Sequence, residues 1–224
     1  MKITRALCAL KASSVLLVAS PAIAATAAPA PAPQPPAGAY VVDKAHSSVT
    51  FRVSHLGFSH YTSRFAAFDA KLKFDPAHPA AMAVNAVIDV NSLALNTPPA
   101  GFHDQLMGKE FFDAAKFPQI TFKSTKVALT GAHTAKVTGD FTLHGVTKPV
   151  TLEVTYNGGY PPMAMDPGGA RVGFSAHGTI KRSAFGMGYG VPAAGSNFGV
   201  GDDVDIAIET EFNSKPTPPA PAAK

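Results

Sequence analysis

The chain has 224 residues, with 19 Lys and Arg, 15 Asp and Glu, one Cys and no Trp. Three of the basic residues, Lys2, Arg5 and Lys11, lie in the first 24 residues, which hold no acid, so beyond them 16 basic residues face 15 acidic ones. That balance, without basic runs, excludes an electrostatic case for nucleic acid, and a single Cys excludes a disulfide framework.

In chain order, residues 1–24 carry those three basic residues, then the short apolar run Val15–Ala19, then Pro21-Ala-Ile-Ala24. This is the pattern of a secretory signal peptide cleaved near Ala24 or Ala25. The run is too short to span a bilayer. The expected location is the periplasm, and Cys8 leaves with the peptide. Residues 25–39 read as an extended Ala/Pro-rich linker, and residues 214–224 as a disordered Pro/Ala-rich tail. Residues 40–213 remain as one domain.

Strict alternation opens that domain. Val49, Phe51 and Val53 oppose Thr50, Arg52 and Ser54; after a bend at Gly57, Phe68, Ala70, Leu72 and Phe74 oppose Asp69, Lys71 and Lys73. A period of two places one face of each strand against apolar surroundings and the other in water. A third strand follows over Met82–Val90. The stretch from Thr97 to Phe117 has Phe102, Leu106 and Met107 at helical spacing, broken by Gly108 and ended by Pro118, which predicts one or two short helices near a mouth of the sheet.

Five further strands are expected, carried by Ile120 and Phe122; Val137 to Leu143; Val150 to Tyr156; Val172 to Ile180; and Val204 to Phe212. A turn at His144-Gly145 separates the second of these from the third, and Pro149 suits a strand start. Eight amphipathic strands with short turns predict an all-β fold, an eight-stranded antiparallel barrel, with a two-sheet sandwich as the alternative. The expected interior is Phe51, Val53, Phe68, Leu72, Phe122, Phe141, Leu152, Phe174 and Ile206, with Ala70, Ala86, Gly139, Ala176 and Gly178 interspersed. Those small residues either leave room for a ligand or relieve strand curvature, and a barrel of this size accommodates both readings.

These segments together resemble the YceI-like family of secreted, lipocalin-like, polyisoprenoid-binding proteins. The resemblance rests on Asp43, His46 and Ser47 (D-x-x-H-S), then on Arg64, Phe65 and Phe68. It continues through Phe111, Phe112, Asp113, Ala114, Lys116 and Pro118, the hairpin Leu143 to Val150 (LHGVTKPV), and Arg182, Ser183, Phe185 and Gly186. Two departures stand out: Gln105 to Glu110 replaces the family's usual H-L-R-S-x-D, and Ala184 replaces an acidic residue. The resemblance implies a lipocalin-like barrel that holds an isoprenoid lipid, such as a polyisoprenoid or an isoprenoid quinone, in its cavity. The implied ligand-binding residues are Phe51, Val53, Phe68, Leu72, Phe122, Phe141, Leu152, Phe174, Ala176, Gly178 and Ile206, with Arg182 in head-group or end-cap contacts. A membrane redox or lipid-delivery partner and a homodimer are compatible with that role.

No metal site or catalytic residue is expected. His55 and His60 flank a bend without chelating spacing, and His103 and Asp104 are neighbours that diverge on a helix. No G-x-S-x-G elbow occurs. Gly186 to Gly201 is either hairpin padding or a lid carrying Met187, Tyr189 and Phe198. A lipid carrier, a lipid-modifying enzyme and a structural protein with a filled barrel are therefore the three functional classes left to weigh, with a non-enzymatic carrier preferred.

Overall fold

The computed structural model describes residues 33–215. The expected signal peptide lies outside them, as do most of the linker and tail. Eleven strand segments are present: β1 (Gly38–Val42), β2 (Ser48–His55), β3 (Ser59–Phe65), β4 (Phe68–Phe74), β5 (Ala83–Asp89), β6 (Leu93–Ala94), β7 (Gln119–Leu129), β8 (Thr134–Leu143), β9 (Val146–Tyr160), β10 (Arg171–Lys181) and β11 (Val200–Asn213). One six-residue helix, α1 (Phe102–Met107), sits between β6 and β7. All pairings are antiparallel, and β1 pairs with both β4 and β11, so the sheet closes on itself.

The eleven segments make eight staves, because β1–β2, β3–β4 and β5–β6 are each one stave broken part-way. The breaks lie side by side. Below them Tyr40 pairs with Leu72, and above them Val49 pairs with Phe65, so one stave advances nine residues while its neighbour advances seven. A slip of two preserves which face looks inward, whereas a slip of one would turn every side chain over. Two breaks share a cause: the Asp43 carboxylate accepts from the Ala45 amide (3.1 Å) and Asp89 from the Asn91 amide (2.9 Å). Each Asp thereby caps a 3-10 turn that interrupts the ladder.

The tight hairpins follow from backbone chirality. Leu56 and Gly57 (φ 56° and 71°) turn β2 into β3, and His144 and Gly145 (φ 51° and 73°) turn β8 into β9. Two successive positive φ values give the turn whose twist matches that of the paired strands. The bend at Gly57 was legible, but the strand after it was not. SHYTSRF looks polar, and its inward Ser63 is buried because its hydroxyl donates to the Ala94 carbonyl. The N-terminal boundary also moves. β1 begins at Gly38, Pro35 is fully buried, and the Tyr40 hydroxyl donates to the Pro36 carbonyl (2.7 Å). A proline ring without neighbouring periodicity announces nothing in sequence, yet it packs here because Gly159 has no side chain to occupy its place.

Alternation orders the interior as expected. Val49, Val53, Ala70, Leu72, Phe74, Phe141, Leu152 and Val172 are buried, while Arg52, Lys71, Lys123 and Glu153 on the opposite faces are exposed. One apolar cluster, including Phe65, Leu93, Ile120, Phe141 and Phe185, lies toward the α1 end. A second, including Tyr40, Phe74, Val172 and Phe212, lies toward the other.

β11 meets the first stave over seven pairs with β2 but over only two with β1, Val41 with Asn213 and Val42 with Phe212, and that short seam completes the closure. Charge reinforces it. The buried Asp43 carboxylate accepts from Arg171 Nη1 (2.8 Å) and Asn213 Nδ2 (3.3 Å) and lies 2.9 Å from His46 Nδ1. Arg171 also pairs with Glu211 and with Asp166 (3.2 Å). Burial by itself would raise the Asp43 pKa, but hydrogen bonds from His46, Arg171, Ala45 and Asn213 outweigh it and lower the pKa to about 2. A carboxylate depressed in the folded state stabilises the protein above its unfolded pKa of 3.8, and that contribution fades as pH falls toward about 2. Asp43→Asn should therefore lower stability by about 2 kcal/mol at neutral pH. In urea unfolding followed at stepped pH, the gap between variant and wild type should narrow through that acid window.

Candidate functional site

A cavity of about 1030 Å³ runs through the barrel. At the α1 end its rim includes His55, Ser59, Tyr61, Asn96 and Phe102; at the other it includes Pro76, Met82, Leu129, His133 and Thr134. Between the rims, apolar side chains of every stave line it. Phe51, Val53, Phe68, Leu72, Phe122, Phe141, Leu152, Phe174, Ala176 and Ile206 all face this space. The polar groups of the wall are turned to the protein's own backbone. Ser124 Oγ accepts from the Val84 amide (2.9 Å), and Thr210 Oγ1 donates to the Phe174 carbonyl (3.3 Å). No Asp, Glu or Lys occurs among the described lining residues.

Two of the expected contacts are corrected. Gly178 does not border the cavity: a Cβ there would lie 2.8 Å from Leu152 Cδ2, so Leu152 already fills its space. Gly139 is similar, lying under the Phe122 ring at a bulge in β7. The two glycines accommodate neighbouring side chains, whereas Ala70, Ala86 and Ala176 border open space.

The second correction concerns Arg182, whose side chain is buried and borders the cavity, but whose donors are committed. Nε donates to the Gly201 carbonyl (2.9 Å), Nη1 to Met187 and Tyr189, and Nη2 to Val200 (2.8 Å each). Burial pushes its pKa down and Asp202 opposes that shift. A cation spent on four carbonyls has little left for a head group. It fastens the loop 186–201 instead, so that Met187 is buried while Tyr189 packs edge-on against Phe111 (5.2 Å).

Two sets of lining residues were not anticipated. Ser59, Tyr61 and Phe65 belong to β3, whose polar sequence hid it. Phe102, Leu106, Phe111 and Phe112 come from α1 and the turns after it. Helical spacing marked Phe102 and Leu106, but periodicity says nothing about where a six-residue helix docks. Elsewhere, Asp43, His46 and Glu211 present ligand atoms within 4.8 Å of one another. Arg171 bonds both carboxylates, so its guanidinium already supplies the positive charge between them.

Residues 40–212 match the YceI-like domain. The chain belongs to the YceI-like family. A UPF0312 protein of Vibrio parahaemolyticus is 40% identical over 173 residues, covering 76% of this chain and 85% of that one. A UPF0312 protein of Yersinia pestis is 45% identical over 149 residues, 65% of this chain and 74% of the other. Among solved structures, Burkholderia cenocepacia BcnA superposes with a TM-score of 0.63 at 34% identity, covering 76% of this chain and 98% of BcnA. The Campylobacter jejuni YceI protein gives 0.58 at 30% identity, covering 72% and 90%. A polyisoprenoid binding domain from Saccharophagus degradans gives 0.54 at 16% identity, covering 78% and 97%, a likeness of fold alone.

The YceI-like motifs can now be placed. Asp43, His46 and Ser47 work at the seam, where Ser47 Oγ accepts from the Glu211 amide (3.0 Å). The Phe117 ring at the end of the FFDAAKF stretch lies directly over Gly145 and edge-on to His144 (4.9 Å), which couples two motifs at one end of the barrel. Arg182 clamps the long loop, and Phe185 packs edge-on against Phe141 (5.4 Å). Ala184, where the usual acid is absent, is exposed. Arg182→Ala would leave four carbonyls without their donor and should cost on the order of 3 kcal/mol. Hydrogen exchange of the Val200 amide, which donates to the Gly190 carbonyl (3.0 Å), should quicken at the same time, whereas Ala184→Asp should change neither.

Proposed function

We propose that this barrel binds and carries a long-chain isoprenoid lipid, a quinone-like amphiphile, with its tail in the cavity. The observation that carries this reading is the apolar wall itself, about 1030 Å³ of space inside the barrel beside which the protein's own backbone engages the neighbouring polar groups. At roughly 30 Å³ per water-sized unit of liquid, such a space takes on the order of thirty heavy atoms. Each buried methylene contributes about 0.8 kcal/mol, so several isoprene units outweigh the ordering cost of binding without any charged anchor. Among the described lining residues no Asp, Glu or Lys occurs, and His55, Tyr61 and His133 stand at the rims, so the apolar stretch that would hold the tail carries no acid–base pair. The reading is therefore a carrier rather than an enzyme. The Saccharophagus degradans relative is described as polyisoprenoid binding, a ligand class that the same fold accommodates there.

Organic extraction of purified protein followed by mass spectrometry should recover an isoprenoid lipid in near-stoichiometric amount. Ala176→Phe, which adds a ring to the cavity wall, should reduce that yield at least severalfold while circular dichroism still reports a folded barrel. Recovery of full lipid from the filled variant, or no lipid from wild type under any growth condition, would sink the proposal.

Export is the companion proposal. The basic start, apolar run and small-residue site of residues 1–24 support secretion to the periplasm. N-terminal sequencing of the protein from a periplasmic fraction should read from Ala25 or Thr26. Recovery only from the cytoplasm, starting at Met1, would refute it.

A further inference from the structure

Phe58 is 87% exposed and Phe198 is 85% exposed, unusual values for aromatic side chains in a folded domain. They stand on neighbouring loops. The Leu56 amide donates to the Gly199 carbonyl (2.8 Å), Val200 pairs with His55, and a Cβ on Gly57 would touch Asn197. Both loops are fixed. The Phe58 amide closes the β2–β3 turn onto the His55 carbonyl (3.0 Å), and Arg182 binds four carbonyls of the other loop. Leu56 holds a positive φ of 56° without being glycine, a strained backbone retained in the turn that projects Phe58.

The chemistry of this tip selects its occupant. Residues 53–63 and 186–201 contain no Asp, Glu, Lys or Arg. Two aromatic rings on a rigid support without carboxylate, lysine or arginine suit the headgroup–acyl boundary of a bilayer, where apolar area is buried and none of those ions must be desolvated. The position agrees: His55, Ser59 and Val200, beside the two rings, border the cavity. We propose that Phe58 and Phe198 insert into a lipid surface and seat the α1-end rim of the cavity against it. The choice of a lipid surface as the partner rests on the cavity being a lipid site. The tip would then place that rim where an acyl or isoprenoid chain leaves the bilayer.

The test is flotation of the purified full chain with phosphatidylcholine vesicles at low and high salt. Phe58→Ser and Phe198→Ser should each lower partitioning about tenfold, the double variant more, with little salt dependence. Met165→Ser, equally exposed at 85% on the β9–β10 connection, should leave partitioning unchanged. All variants share the same N-terminal segment, so the difference reports the tip. Equal binding of the double variant, equal loss in Met165→Ser, or binding abolished by salt would overturn the proposal. A dimer in sedimentation that the double variant dissociates, without vesicle binding by wild type, would assign the rings to self-association instead and also overturn it. Extracted lipid is measured on the same samples. Loss of vesicle binding with lipid content retained supports the tip, whereas absence of lipid from every sample strikes at the cavity reading.

Discussion

A sheet that closes on itself must pair its first stave with its last, and here β11 meets the first stave over seven pairs with β2 but over only two with β1. The two β1 pairs complete the ring of eight staves at the end away from α1. Such a seam would be the natural place for strands to part, since an unpaired edge invites other partners. The protein secures it with Arg171, which reaches Asp43 from the first stave, Glu211 from the last, and Asp166 from the preceding loop. The pairs are partly buried, so loss of one partner matters more than it would on the surface. Asp43 does double service, because the same carboxylate caps the turn that breaks the first stave.

Much of this was readable from residue order. Alternation in β2, β4 and β7 to β11 set the inward faces, and His144-Gly145 marked a tight hairpin. Where reading failed, a polar atom or an isolated ring was satisfied by something far away in sequence. Ser63 is inward because Ala94 accepts its hydrogen bond, and Pro35 is buried because Gly159 leaves it room. No local pattern encodes either fact. The same limitation governs the small residues: Gly178 and Ala176 look alike in a strand, but Leu152 fills the space before one and leaves the other facing the cavity.

The residues that make the family recognisable are largely its carpentry. Asp43 and Ser47 close the seam, Phe117 caps the His144-Gly145 hairpin, and Arg182 fastens a long loop. The cavity is lined by ordinary Phe, Val, Ile, Leu and Ala, whose identities carry little signal beyond their period. Motifs therefore report the scaffold with high fidelity and the site only indirectly. Arg182 shows the difference: a buried cation beside a cavity invites a ligand contact until its four carbonyl partners are counted.

The two ends of the barrel are built on different mechanical principles. At the β1 end the staves meet through continuous ladders. At the α1 end β6 pairs with β3 alone, and the segment carrying α1 lies between β6 and β7. The backbone hydrogen bonds of residues 99–117 run within that segment, and rings hold it to the barrel: Phe112 against Phe65, Phe111 against Tyr189, and Phe117 over Gly145. A ladder yields in discrete steps and must find its register again, whereas ring contacts yield by degrees and have no register to lose. One end is thus a hoop and the other a stopper, held by the fit of rings and not by a ladder.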